Sequence, residues 1–141
     1  MSAVKGKPST LIMVAEDNRA DVMLIRRAFK QHELEGELLI MDDGESAIGY
    51  IHRVDADNSV AAPDLLLLDL NLPKANGEEV LAQVRRSDKC VRMPVMIISS
   101  SGSAKDRAMA AALGATMYFQ KPSDLKEFMR IGALVKEILA G

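Results

Sequence analysis

Leu11 to Ala15 are consecutive apolar residues closed by Glu16 and Asp17, and the same device returns at Leu65 to Leu68, closed by Asp69. A run this short and this continuously apolar suits a strand buried on both faces, as in a parallel sheet. Between the runs the period changes. Val22, Ile25 and Phe29, with Ala28 beside them, recur at three- and four-residue spacing and predict an amphipathic helix over roughly 20–33. The alternation continues with a weaker strand at 37–42, a helix at 45–53, and a polar loop ending at Pro63 before the Leu65 run. A helix over 76–87, a strand over 95–98 opened by Pro94, a helix from Ser103, a strand over 116–119 and a helix over 125–139 complete it. Gly114 suits the left-handed position after a helix, and Ser103 with Asp106 resembles a capping box with Asp in place of Glu. Five strands alternating with five helices predict an α/β fold, a doubly wound five-stranded parallel sheet, because parallel strands require right-handed helical crossovers.

A chain of 141 residues holds one domain of this kind, expected over 10–141 behind a flexible arm at 1–9, and leaves no room for a separate output domain. No internal repeat interrupts it. Lys and Arg total 18 against 20 Asp and Glu, so no broad positive field exists to hold nucleic acid or anionic lipid. Cys90 is the sole cysteine and His32 and His52 the only histidines, which gives neither a disulfide nor a zinc ligand set and predicts a reducing cytoplasm. The histidines fall at helix ends, where hydration or helix-end charge is their expected role. No apolar run is long enough for a signal peptide or a membrane span.

In open sheets of this type ligands gather beyond the carboxyl ends of the strands, where the chain order reverses. The residues leaving the strands are Glu16 and Asp17, then Asp42 and Asp43, Asp69, Ser99 and Ser100, and Lys121. With a strand order of 2-1-3-4-5 the second strand lies at an edge, so Asp42 and Asp43 are expected to start a helix rather than join the crevice. The other ends converge. Carboxylates crowded into one cleft raise each other's proton affinity unless a cation is bound, and Mg²⁺ favours a few carboxylates with positions left for phosphate oxygens. Asp69 is then placed as an oxygen nucleophile for a phosphoryl group, Lys121 as a compact positive charge, and the Ser99 hydroxyl as a donor to a phosphoryl oxygen.

Glu16-Asp17-Asn18, the stretch from Asp64 through Asp69 to Pro73 with Gly77 beyond, Pro94 leading to Ser99-Ser100, and Tyr118-Phe119-Gln120-Lys121-Pro122 together resemble a response-regulator receiver domain. Leu68-Asp69-Leu70-Asn71-Leu72-Pro73-Lys74 and Asp124-Leu125-Lys126-Glu127-Phe128 resemble, more narrowly, the small regulators that serve phytochrome-type histidine kinases. The resemblance implies a flavodoxin-like fold, Asp69 as phosphoacceptor, and Mg²⁺ held by the side chains of Asp17 and Asp69, by Glu16 through water, and by the Asn71 backbone carbonyl. It implies Ser99 as switch hydroxyl, Lys121 as phosphate-binding lysine, Tyr118 as the aromatic switch, Asn71 and Ser101 beside the path of hydrolytic water, and a cis Lys121–Pro122 bond.

The expected function is therefore that of a cytoplasmic phosphoreceiver. A histidine kinase, of phytochrome type on the narrower resemblance, supplies the phosphoryl group, and the protein catalyses only its own modification. Output is expected through the fourth helix, fifth strand and fifth helix, to a downstream protein, by onward phosphoryl transfer as a relay shuttle, or by homodimerisation. Phe128, Ile131, Val135 and Ile138 make a helical stripe there that Met129 and Leu134 widen. Two rivals share the architecture. A metal-dependent phosphatase with an aspartyl nucleophile typically carries an acid two positions later, where this chain has Asn71. A flavin or nucleotide binder would need a glycine-rich phosphate loop, and neither G-x-G-x-x-G nor G-x-x-x-x-G-K-[ST] occurs.

Overall fold

The computed structural model describes residues 10–141; the arm expected at 1–9 lies outside the described residues. Strands β1 (Leu11–Ala15), β2 (Glu37–Met41), β3 (Leu65–Leu68), β4 (Val95–Ser99) and β5 (Met117–Gln120) form one sheet in the order β2-β1-β3-β4-β5, all pairs parallel. The connecting helices are α1 (Arg19–Gln31), α2 (Gly44–Ala56), α3 (Gly77–Arg86) and α4 (Ala104–Ala112). The fifth helix is divided at Met129 into α5 (Leu125–Phe128) and α6 (Arg130–Ala140).

The continuous apolar runs belong to the central strands, which are covered on both sides. Met13, Ala15, Leu66, Leu68 and Ile97 point to one face and pack against Ala47, Ile51 and Val54 of α2 and Val80, Leu81 and Val84 of α3. Ile12, Val14, Leu65, Leu67, Met96 and Ile98 point to the other and meet Ile25, Ala28 and Phe29 of α1 and Phe128, Ile131 and Val135 of α5 and α6. The period-2 alternation of strand side chains thus feeds two cores from one run. Among the described residues no helix is long and apolar enough to cross a membrane.

Local signals decide where the helices begin. Asn18, Asp43, Asn76, Ser103 and Asp124 cap the starts of α1 to α5 with side-chain oxygens. The reciprocal capping box occurs at Asn76 and Glu79, not at Ser103. Ser103 accepts from the Asp106 N–H, but its own N–H donates to Ser101 Oγ at 3.2 Å. The Asp side chain is one methylene too short for the return bond that Glu makes. Gly114 has φ +82°, the left-handed value expected of it.

Three further expectations change. His32 caps the end of α1 and its Nε2 lies 3.1 Å from the Met129 carbonyl oxygen, which also accepts from the Gly132 N–H; its role is a tertiary bond at the break between α5 and α6. Met129 is buried in the core, so it does not widen an outer face. The described residues contain no cis peptide bond, so Lys121–Pro122 is trans, the form an X–Pro bond ordinarily prefers.

Away from the strand ends, Asp55 at the end of α2 accepts from Ser87 Oγ at 2.7 Å and from the Lys89 N–H at 3.0 Å. The Ser87 hydroxyl, then the Lys89 amide, holds the Asp55 carboxyl below its ordinary 3.8. A depressed folded value adds stability that is present above the unfolded value and lost as pH falls through the folded one. In Ser87→Ala the loss of stability relative to the parent should therefore be largest near neutral pH and shrink below 3.8, measured by urea unfolding across pH. A loss that stays constant with pH would remove the charged bond as its cause.

Candidate functional site

The carboxyl ends of β1, β3 and β5, with the first turn of α1, bring four acids and one lysine together. Glu16 continues β1 by donating its N–H to the Met41 carbonyl at 2.9 Å, which turns its side chain into the interior. Its Oε2 accepts from the Asn18 N–H at 3.0 Å. Asp69 follows β3 and donates its N–H to the Ala15 carbonyl at 3.0 Å, so neighbouring strands lock the two acids side by side. Asp69 Oδ1 accepts from the Asn71 N–H at 3.1 Å, which leaves Oδ2 toward Lys121.

Lys121 leaves β5 with its N–H on the Ser99 carbonyl at 2.7 Å. Its ammonium lies 2.8 Å from Glu16 Oε1, 2.8 Å from Asp21 Oδ2 and 3.3 Å from Asp69 Oδ2. Burial opposes that positive charge, yet the Asp21, Glu16 and Asp69 carboxylates outweigh it and hold the ammonium above its ordinary value. Burial raises the Glu16 carboxyl to about 7, against the opposing pull of Lys121 and the Asn18 amide. Glu16 is 1% exposed, and its Oε1 has an ion-pair neighbour but no hydrogen bond of acceptable angle.

Glu16, Asp17 and Asp69 each offer an oxygen within 4.8 Å of the others. Three hard oxygen donors, one of them buried and lacking a hydrogen bond, fit a divalent cation of the Mg²⁺ or Mn²⁺ class. Asp17 is the exposed member and opens to a cleft of about 400 Å³ lined also by Arg19, Met23, Arg26 and Asp42. Asp42 lines this groove with Asp17 but not with Asp69 or Lys121, while Asp43 serves as the helix cap, its Oδ1 2.6 Å from the Ser46 N–H.

Ser99 is fully buried at the end of β4, and its Oγ accepts from the Ser101 N–H at 3.1 Å. Tyr118 is half-buried on β5; its hydroxyl donates to the Ser101 carbonyl at 2.8 Å, and the Arg107 guanidinium lies 4.5 Å from its ring centre. The loop after β4 is therefore tied from both sides, through Ser99 and through Tyr118. Asn71 is exposed and lines a smaller cleft with Asn76, Glu78 and Asp106.

Asp21 is the site residue that the sequence reading missed. An acid in the first turn of a helix has a sufficient local explanation, since it faces the positive end of the helix dipole, and nothing in its spacing points across to β5.

The family model described as the response regulator receiver domain matches residues 12–131. Response regulator Rcp1 of Synechocystis sp. is 31% identical over 127 residues, covering 90% of this chain and 86% of Rcp1. The phosphorylated cyanobacterial phytochrome response regulator RcpA superposes with a TM-score of 0.83 at 32% identity, covering 93% of this chain and 94% of RcpA. The Mn²⁺-bound form of Rcp1 superposes with a TM-score of 0.82 at 29% identity over 93% and 94% of the two chains. A doubly wound sheet whose strand ends gather this acid cluster, matched along most of its length, belongs to the response regulator receiver domain family of two-component signalling.

Proposed function

We propose that residues 10–141 form a phosphoreceiver that accepts a phosphoryl group from a histidine kinase onto Asp69 in the cytoplasm. The observation that carries this reading is the convergence of Glu16, Asp17 and Asp69 within 4.8 Å beside the Lys121 ammonium. Asp69 Oδ2 attacks phosphorus in line, the P–N bond to the kinase histidine breaks, and the imidazole nitrogen keeps the electron pair and takes up a proton. Asp17 and Asp69, with Glu16 through water and the Asn71 carbonyl, would hold Mg²⁺, which when bound neutralises charge on the phosphoryl oxygens. Lys121 meets the incoming group with a charge that burial has not removed. Ser99 supplies a hydroxyl proton to a phosphoryl oxygen, and its movement loosens the hold on Ser101 that Tyr118 shares.

The likeness to Rcp1 and RcpA supports a phytochrome-type kinase as the donor. Leu134 and Ile138 remain partly exposed on α6, and a homodimer through α4, β5 and α6 is the proposed output. Short-time phosphotransfer from a panel of phosphorylated histidine kinases tests the reading. A phytochrome-type kinase should label the protein fastest, the label should be lost in hydroxylamine, and EDTA should stop transfer. Absence of label from every kinase and from small phosphodonors would reject phosphoreception; fastest labelling by an unrelated kinase would reject only the phytochrome assignment.

A further inference from the structure

We propose that Asp21 is a positioning residue for phosphoryl transfer, whose carboxylate anchors the Lys121 ammonium on the α1 side of the cleft. The inference rests on the phosphoreceiver reading and deepens it. A lysine ammonium has three N–H donors, and here three carboxylates surround it: Glu16, Asp21 and Asp69. Two of the three are also members of the acid trio within 4.8 Å; Asp21 is not. When Asp69 carries the phosphoryl group as an acyl phosphate and Glu16 serves the cation, Asp21 is the partner left to Lys121. Two ammonium protons are then free for phosphoryl oxygens while the third stays on Asp21.

Asp21 is built for that task. It stands in the first turn of α1, where its N–H is held by Asn18 Oδ1 at 3.1 Å, and its side chain is only 18% exposed. Partial burial limits screening of the pair. A lysine stem is flexible, so an ammonium lacking a fixed partner must be localised during the reaction itself, at a cost to the rate.

Phosphoramidate is the probe. Asp69 oxygen attacks phosphorus, the P–N bond breaks, and the nitrogen leaves with its protons as ammonia. Initial rates at saturating Mg²⁺ are measured for the parent, Asp21→Asn, Asp21→Glu, Lys121→Ala and the Asp21→Asn/Lys121→Ala double variant, with thermal melts confirming that each folds. Asp21→Asn should lower the maximal rate about tenfold, with little change in the half-saturating donor concentration, and Asp21→Glu should recover part of it. In the Lys121→Ala background the same substitution should change the rate less than about twofold, because the partner it acts through is gone. Where the Lys121→Ala rate is too slow to follow, beryllofluoride affinity by titration calorimetry carries the same four-way comparison. An Asp21→Asn variant that reacts as fast as the parent, or an equal loss in both backgrounds, overturns the anchor. A parent that takes up no phosphoryl group overturns the phosphoreceiver reading instead.

Discussion

Asp69→Asn should abolish uptake of a hydroxylamine-labile phosphoryl group from kinase or small phosphodonor, a loss beyond about a thousandfold in rate, because the amide has no lone pair of carboxylate basicity to form the P–O bond. The variant should still fold. Its N–H bond to the Ala15 carbonyl is made by the backbone, and the amide oxygen can accept from Asn71 as the carboxylate does. Removing one negative charge from a cleft that crowds Glu16, Asp17 and Asp21 also relieves repulsion, so its melting temperature without divalent cation should not fall. Intact-mass spectrometry after phosphoramidate treatment gives the answer. A single labile phosphate on Asp69→Asn would place the acceptor on another side chain.

Gly77→Ala should disturb fold and site together. A Cβ on Gly77 would lie 2.5 Å from the Asp69 carbonyl oxygen and 2.6 Å from the Leu70 Cα, both backbone atoms that cannot swing aside. The Gly77 N–H already donates to the Leu70 carbonyl at 2.9 Å, so the first turn of α3 is pressed on the peptide that carries the acceptor. Overpacking of this kind costs about 1–3 kcal/mol, or more where the obstacle is main chain. Denaturant midpoints should fall accordingly. The strand end bearing Asp69 must shift for the methyl to fit, so the rate of phosphoryl uptake should fall as well, even at temperatures where the variant is folded. A variant with parental stability and rate would show that the approach relaxes without cost.

The elements of this fold were legible because each carries a local signal. Leu65 to Leu68 can be read as a two-faced strand from composition alone, and Asn18, Asp43 and Gly114 mark helix boundaries through bonds that reach only a few residues. The strand-end acids were legible for a related reason: a parallel sheet aligns its carboxyl ends, so residues that follow the central strands must converge. Asp42, at the end of the edge strand, lines a groove with Asp17 and Arg26 in which neither Asp69 nor Lys121 takes part.

What residue order settled was the alternation of strand and helix, the pair of apolar faces, and the placement of Glu16, Asp69 and Lys121 at the carboxyl ends of strands on one edge of the sheet, all consequences of short-range periodicity and parallel pairing. What tertiary structure alone decided was the choice of partner among chemically equivalent groups. Asp21 meets Lys121 across 100 residues, and His32 meets the Met129 carbonyl across 97. Such pairs depend on how α1 packs against β5 and α6, and a side chain with an adequate local role gives no outward sign of a distant one. The Glu16 proton affinity belongs to the same category, because burial sets it, and burial is a property of the assembled cleft rather than of any stretch of chain.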